Sequence, residues 1–255
     1  MRPNLVKQAL RAGRLQVGTS LGHIRSLEIV KILAAGGFHW TFIDAEHGPF
    51  NPETLYDLCH AANQCGLCPV VRVASLEYDL VARALDAGAQ GVMFPRVEDP
   101  DLLAEAISWT KFPPLGIRGY GLTPAHLDYE RASIPDVTAH VNEHTLVVMQ
   151  IETQRAFDRR DELLSVPGLD AVMVGPADLS ISLGVPGDFL HSKLVATMEA
   201  IRDSCLAHGV APGTQTRTLD LAQFWRDRGM KFLGCSGDTA MLLDRATEIT
   251  KTLTA

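Results

Sequence analysis

Eight short apolar runs recur along the chain, at residues 15–20, 41–44, 69–73, 91–94, 146–151, 171–174, 210–214 and 232–235. Each is four to six residues long, too short for a helix and suited to a strand buried on both faces. Most segments between them carry a helical rather than an alternating pattern, so the runs read as strands of successive βα units. Eight such units in 255 residues predict an α/β chain folded as a closed (β/α)8 barrel, whose usual size is about 250 residues. An open doubly wound sheet fits the count less well. No linker, repeat or low-complexity tract breaks the pattern, and one domain over residues 1–255 is expected.

Local signals place some helices. Asn51 can cap a helix over 52–64, Pro52 suits its first position, and Leu55 and Leu58 begin its apolar face. A second helix is predicted over 99–110, stopped by Phe112-Pro113-Pro114. Residues 111–141 carry no clear period and read as a functional loop or interface element.

Composition excludes several function classes. A net charge of −7 and the lack of a basic run argue against a nucleic-acid partner. The N-terminal stretch has no apolar signal core, and no apolar run approaches the ~20 residues of a membrane helix; a cytoplasmic protein is expected. Five cysteines at irregular spacing do not form a disulfide framework, and the Cys65/Cys68 pair has no second pair to complete a zinc set. The glycine-rich nucleotide-binding patterns are absent from the sequence.

Barrel active sites lie at the C-terminal ends of the strands. There the sequence presents Asp44-Ala45-Glu46-His47 after the second strand, Arg72 at the end of the third, Gln150-Ile151-Glu152 at the fifth, and Gly175-Pro176-Ala177-Asp178 after the sixth. Glu152 and Asp178 are 26 residues apart, about one βα unit. Neighbouring strand ends could bring the two acids together, and two carboxylates without cysteine or histidine suit a hard divalent cation. Asp178 equally suits capping of the next helix, and Glu152 equally suits pairing with Arg155. His47 is a candidate general base oriented by Asp44 or Glu46, or a loop histidine held by backbone. Arg72 could hold a carboxylate or a developing oxyanion, or serve as an ion pair in the barrel mouth. None of the six lysines falls at a C-terminal strand end, which disfavours Schiff-base chemistry.

Six motifs in order, FIDAEHGPF (42–50), PVVRV (69–73), LDAGAQGVMFPRV (85–97), PPLGIRGYG (113–121), VMQIET (148–153) and VGPADLS (174–180), make the chain similar to the HpcH/HpaI family of class II pyruvate aldolases. The resemblance spans residues 15–245. It implies a metal-dependent aldolase that reversibly cleaves a 4-hydroxy-2-oxo acid to pyruvate and an aldehyde, with a metal-stabilised pyruvate enolate as intermediate. By the same likeness Glu152 and Asp178 hold the divalent cation (Mg2+ or Mn2+, with Co2+ an option). His47 is the acid/base with Asp44 orienting it, and Arg72 stabilises the enolate. Gln150 lines the metal site, and the amides of Ala177 and Asp178, after Gly175 and Pro176, take the pyruvate carboxylate. Asp86 and Arg118 match positions near subunit contacts, and the implied assembly is a homohexamer, a trimer of dimers. Such enzymes serve the breakdown of aromatic compounds or sugar acids.

Two alternatives remain: an acyl-CoA lyase of the citrate-lyase-β or malyl-CoA type, which would need structure beyond the roughly 20 residues after the eighth strand, and a catalytically silent binding barrel. The ends of strands seven and eight, Gly213-Thr214-Gln215-Thr216 and Gly234-Cys235-Ser236-Gly237, are more polar than the family pattern and leave the aldehyde partner open.

Overall fold

A computed structural model describes residues 1–122 and 127–255. Eight parallel strands close into a barrel in chain order. They are β1 (Gln16–Leu21), β2 (Trp40–Asp44), β3 (Cys68–Arg72), β4 (Gly91–Phe94), β5 (Leu146–Ile151), β6 (Ala171–Val174), β7 (Ala211–Thr216) and β8 (Phe232–Gly237). The helices are α1 (Leu5–Arg11), α2 (Glu28–Ala35), α3 (Pro52–Gln64), α4 (Tyr78–Asp86), α5 (Pro100–Ser108), α6 (Ile134–His144), α7 (Gln154–Asp158), α8 (Arg160–Leu164), α9 (Pro176–Ser182), α10 (Ser192–Ala207), α11 (Leu219–Asp227) and α12 (Asp238–Thr254).

All eight apolar runs are strands. Those at 91–94, 146–151 and 171–174 keep the expected ends, and those at 15–20, 41–44 and 69–73 shift by one residue. Strands β7 and β8 run two residues further than expected, because Gln215, Thr216, Ser236 and Gly237 extend the ladder without being apolar. Thr216 pairs with Cys235, and Gly237 with Ser20. Strand ends that border a polar cavity do not announce themselves by hydrophobicity.

Helix α3 has the expected bounds, with Asn51 Oδ1 accepting from the Thr54 amide at 2.8 Å. In α5 Asp99 is the cap rather than the first helical residue. The unpatterned stretch 111–141 contains the start of α6, which a sequence period did not reveal. Ser133 Oγ caps its Asp136 amide, and Pro135 sits in its first turn, a start signal readable without an apolar period. Residues 123–126 of that stretch lie outside the described residues.

Two apolar layers result. Inside the barrel pack Trp40, Phe42, Cys68, Val70, Met93, Leu146, Val148, Ala171, Met173 and Phe232, with Trp40 stacked on Phe232 at 4.0 Å. Helix α1 closes the N-terminal end through Val6 and Leu10, pinned by Lys7 Nζ on Asp170 at 2.8 Å and on the Thr145 carbonyl at 2.7 Å. The outer layer lies between strands and helices. Helix α12 is the exception among them: beyond Asp238 none of its residues is buried, and Leu242, Leu243, Ile249 and Leu253 face outward. Among the described residues no helix is long and apolar enough to cross a membrane, and all five cysteines are free.

Candidate active site

Strand alternation builds the site. Side chains two residues apart share a face, so the inward series Trp40, Phe42 continues to Asp44, and Cys68, Val70 continues to Arg72. Leu146 and Val148 lead to Gln150 and then Glu152, and Ala171 and Met173 lead to Gly175. Each series is apolar in the barrel and becomes polar where it reaches the C-terminal mouth.

Asp44 and Arg72 are register partners on β2 and β3. Arg72 Nε donates to Asp44 Oδ1 at 3.0 Å and Nη2 donates to Oδ2 at 2.6 Å. Its Nη1 lies 3.1 Å from Glu46 Oε2 and 3.4 Å from Gln150 Oε1. Asp44 Oδ1 also accepts from the amides of Glu46 and His47, at 3.1 and 3.2 Å. Burial alone would raise the Asp44 carboxyl. The Arg72 guanidinium and the His47 and Glu46 amides outweigh it and hold the group below its ordinary range.

Glu152, 4% exposed, accepts from the Arg96 amide at 2.9 Å through Oε1. Arg96 takes a left-handed backbone (φ 51°) to present that amide. Burial raises the Glu152 carboxyl above its usual range. The nearby charges of Asp178 and Glu46 push the same way, against the Arg96 amide and Arg72. Gly175 leaves room beside it: a Cβ there would sit 2.8 Å from Glu152 Oε2 and force that carboxylate to move. Pro176 then opens α9, and Asp178 lies in its first turn, where no side chain caps the amides.

These residues wall a cavity of about 210 Å3, whose lining includes Arg72, Gln150, Glu152, Gly175, Pro176, Ala177 and Asp178 together with the apolar Phe189, Leu221 and Trp225. Among the described residues no three His, Cys, Asp or Glu side chains form a ligand cage. The donor set still fits a hard cation: Glu152 is destabilised in its charged form by Asp178 and Glu46, and Arg72 is already engaged by Asp44 and Glu46. Two carboxylates then supply part of the shell, with oxygens of substrate and water supplying the rest.

The structure therefore brings together Arg72, Gln150, Glu152, Gly175, Pro176, Ala177 and Asp178. Asp44 stands behind Arg72 rather than lining the cavity. Asp44 reaches His47 through the His47 amide, its two oxygens being taken up by Arg72 and the turn. The imidazole, 65% exposed, has its Nε2 3.8 Å from Glu46 Oε1 and does not line the cavity. Arg118 and Asp86 are also outside it. Arg118 is buried, pairs with Asp86 at 2.7 Å and lies over the Phe112 ring at 5.0 Å. Two site elements went unread in the sequence: the Glu46 contact to Arg72 and the Arg96 amide on Glu152. Both are products of loop conformation. No lysine lines the cavity.

Comparison with known proteins gives a consistent result. Residues 24–244 match the family described as HpcH/HpaI aldolase/citrate lyase. A 4-hydroxy-2-oxo-heptane-1,7-dioate aldolase of Escherichia coli is 36% identical over 249 residues, covering 96% of this chain and 92% of the relative. The crystal structure of an HpcH/HpaI aldolase from Desulfitobacterium hafniense superposes with a TM-score of 0.93 at 31% identity, covering 99% of this chain and 97% of that one. The citrate synthase SbnG superposes with a TM-score of 0.86 at 27% identity, covering 97% and 96%.

Proposed function

Since the chain belongs to the HpcH/HpaI aldolase/citrate lyase family and is a carbon–carbon lyase of the aldolase kind, we propose that it reversibly cleaves a 4-hydroxy-2-oxo acid to pyruvate and an aldehyde in a divalent-metal-dependent reaction. The observation that supports this best is the crowding of Glu152 and Asp178 on one wall of a cavity that Arg72 also lines. Glu152 and Asp178 would hold Mg2+, Mn2+ or Co2+, which when bound supplies Lewis-acid stabilisation of charge on the 2-oxo oxygen. The first-turn amides of Ala177 and Asp178 bind the pyruvate carboxylate, and Gln150 holds the same end of the substrate. Arg72, clamped by Asp44 and Glu46, faces the oxygen that becomes the enolate. His47 takes the proton from the C4 hydroxyl as the C3–C4 bond breaks, and Glu46 steadies its ring. The electron pair of that bond passes to the pyruvate fragment, the aldehyde leaves, and a proton reaching C3 of the enolate, from His47 or solvent, completes pyruvate.

The expected organisation is one barrel domain per chain in a cytoplasmic homohexamer; the exposed apolar stripe of α12 supports association between chains. The test is pyruvate release from a panel of 4-hydroxy-2-oxo acids, with and without a chelator. Metal-dependent release is expected. Undiminished release in chelator would overturn the metal assignment, and release only from CoA thioesters would replace the reading by an acyl-CoA lyase.

A further inference from the structure

Helix α12 opens with a carboxylate that does not serve its own helix. Gly237 is the N-cap, no side chain caps the first-turn amides, and Asp238 in that turn is 4% exposed. Its oxygens face the loop that follows β1 instead. Oδ1 accepts from the Gly22 amide at 3.3 Å, and Oδ2 accepts from the His23 and Ile24 amides at 3.0 and 2.7 Å. Three successive amides offset the cost of burying the acid and fix the loop backbone. The segment that delivers Asp238 is fastened too. Ser236 takes a left-handed backbone (φ 58°), and its carbonyl accepts from Ser20 Oγ at 3.1 Å and Gln215 Nε2 at 2.6 Å.

The clamped loop supports the turn that carries His47. Leu21 pairs with Ile43, which carries Gly22 alongside Asp44 at the C-terminal mouth of the barrel. The turn after β2 closes through the Gly48 amide, which donates to the Asp44 carbonyl at 3.1 Å. Gly48 fits between two carbonyls and a ring. A Cβ on it would lie 2.2 Å from the Asp44 oxygen, 2.9 Å from the Gly22 oxygen and 3.1 Å from the Phe50 ring. Asp44 and Glu46 are held by Arg72 whatever the loop does. The His47–Gly48 end of the turn rests on Asp44 and on Gly22.

We propose that Asp238 is a positioning residue for the aldol step. Its carboxylate holds residues 22–24 against Gly48 and so sets where His47 presents its imidazole. Asp238 is not among the residues lining the cavity and acts only through that turn. The inference rests on the aldolase reading, in which His47 is the base.

A double-mutant cycle between Asp238 and His47, followed by pyruvate release from a 4-hydroxy-2-oxo acid, tests it. Asp238→Ala is expected to lower kcat by about a hundredfold, the scale of a misplaced catalytic group, with KM and Mn2+ affinity little changed. Asp238→Asn keeps one accepting oxygen and should lose about tenfold; it carries the cycle if Asp238→Ala does not fold. In a His47→Ala background neither change should slow the enzyme by more than about twofold, because the group it positions is gone. Wild-type kcat in the Asp238 variants, a loss in KM or Mn2+ affinity instead of kcat, or losses that multiply in full on His47→Ala would each overturn the proposal. The two readings fail differently. A slow His47→Ala enzyme with multiplying losses removes the Asp238 assignment alone. Wild-type speed in His47→Ala removes the base and this inference together, and a wild type that releases no pyruvate removes the aldolase reading itself.

Discussion

Asp44 and Arg72 sit directly opposite one another on adjacent parallel strands, and their two-pronged ion pair fixes a guanidinium plane in the mouth of the barrel. Both side chains are only 12% exposed, so neither can replace its partner with bulk water. Asp44→Asn keeps the shape and loses the charge that holds the fork. The expected result is a kcat lower by about a hundredfold, on the scale of losing one preorganised oxyanion donor, with a smaller change in KM. Asp44→Ala should also lower unfolding stability by about 1–3 kcal/mol, because two guanidinium donors lose their acceptors and Arg72 keeps only the Glu46 carboxylate. Steady-state kinetics and denaturant titration check the pair. An Asp44→Asn enzyme within twofold of wild-type kcat would remove Arg72 from the chemistry.

Glu152 and Asp178 raise a separate expectation. If they share a cation, Mn2+ raises the melting temperature of the wild type by mass action, and neither Glu152→Gln nor Asp178→Asn shows that rise. Both variants relieve the mutual repulsion that destabilises charged Glu152, so each should fold at least as stably as the metal-free wild type. Calorimetric titration with Mn2+ measures the affinity directly. Wild-type affinity in both variants would place the ion elsewhere.

His47 makes a third case. Its ring is exposed beside Glu46, on the turn that Asp44 holds by the backbone. With His47 as the base proposed above, His47→Ala should slow aldol cleavage by about 10²–10⁴-fold, the usual contribution of a general base. Mn2+ affinity should stay nearly intact, because the ring is not among the side chains lining the cavity with Glu152 and Asp178. A parallel loss of Mn2+ affinity would mark the residue as part of the metal site instead.

Those three cases show what the chain discloses before folding. Asp44, Arg72, Gln150, Glu152 and Asp178 are legible because apolar runs reveal the strands and a barrel puts its chemistry where the runs turn polar. The two-residue period then decides which side chains point inward. Glu46 and Arg96 are not legible that way. Glu46 meets Arg72 only because the loop after β2 folds back on Asp44, and Arg96 offers its amide to Glu152 only in a left-handed conformation. Side-chain identity does not encode either event. The same limit applies to His47: the Asp44–His47 spacing suits a ring contact, whereas in the fold Arg72 and the turn amides occupy both Asp44 oxygens. Helix α6 was hidden for a different reason, since Val137 is its one fully buried residue and no apolar period forms.

Helix α12 bears on assembly. Leu242, Ala246, Ile249 and Leu253 follow the 4-3-4 spacing of a helix-packing stripe, yet Leu242 is 65% and Leu253 80% exposed in the isolated chain. An apolar stripe of that length is a surface for association. Leu242→Glu combined with Ile249→Glu should shift the species seen by light scattering to a smaller mass. A wild type that is monomeric, or a double variant with unchanged mass, would show that the stripe is not an interface.

Lys111 yields the last expectation, one of stability. Its Nζ donates to the Asn142 and Thr145 carbonyls at 2.8 and 3.2 Å, at the end of the barrel away from the cavity. Burial pushes its pKa down from 10.5 to about 7, helped by the charges of Lys7 and Arg11 and opposed by Asp170 and Glu143. Between pH 7 and 10.5 the unfolded chain therefore holds a proton at this lysine that the folded chain has released. Because the unfolded state binds more protons in that window, stability rises with pH there, and the cost of burying the charge is fully felt below it. The contribution is on the order of a few kcal/mol at its full extent. Lys111→Met removes the titrating group, so the difference in unfolding free energy between wild type and variant should move in favour of the wild type as pH increases from 7 to 10. Denaturant titrations at unit pH intervals measure it, and two parallel curves would mean that the buried ammonium keeps its ordinary proton affinity.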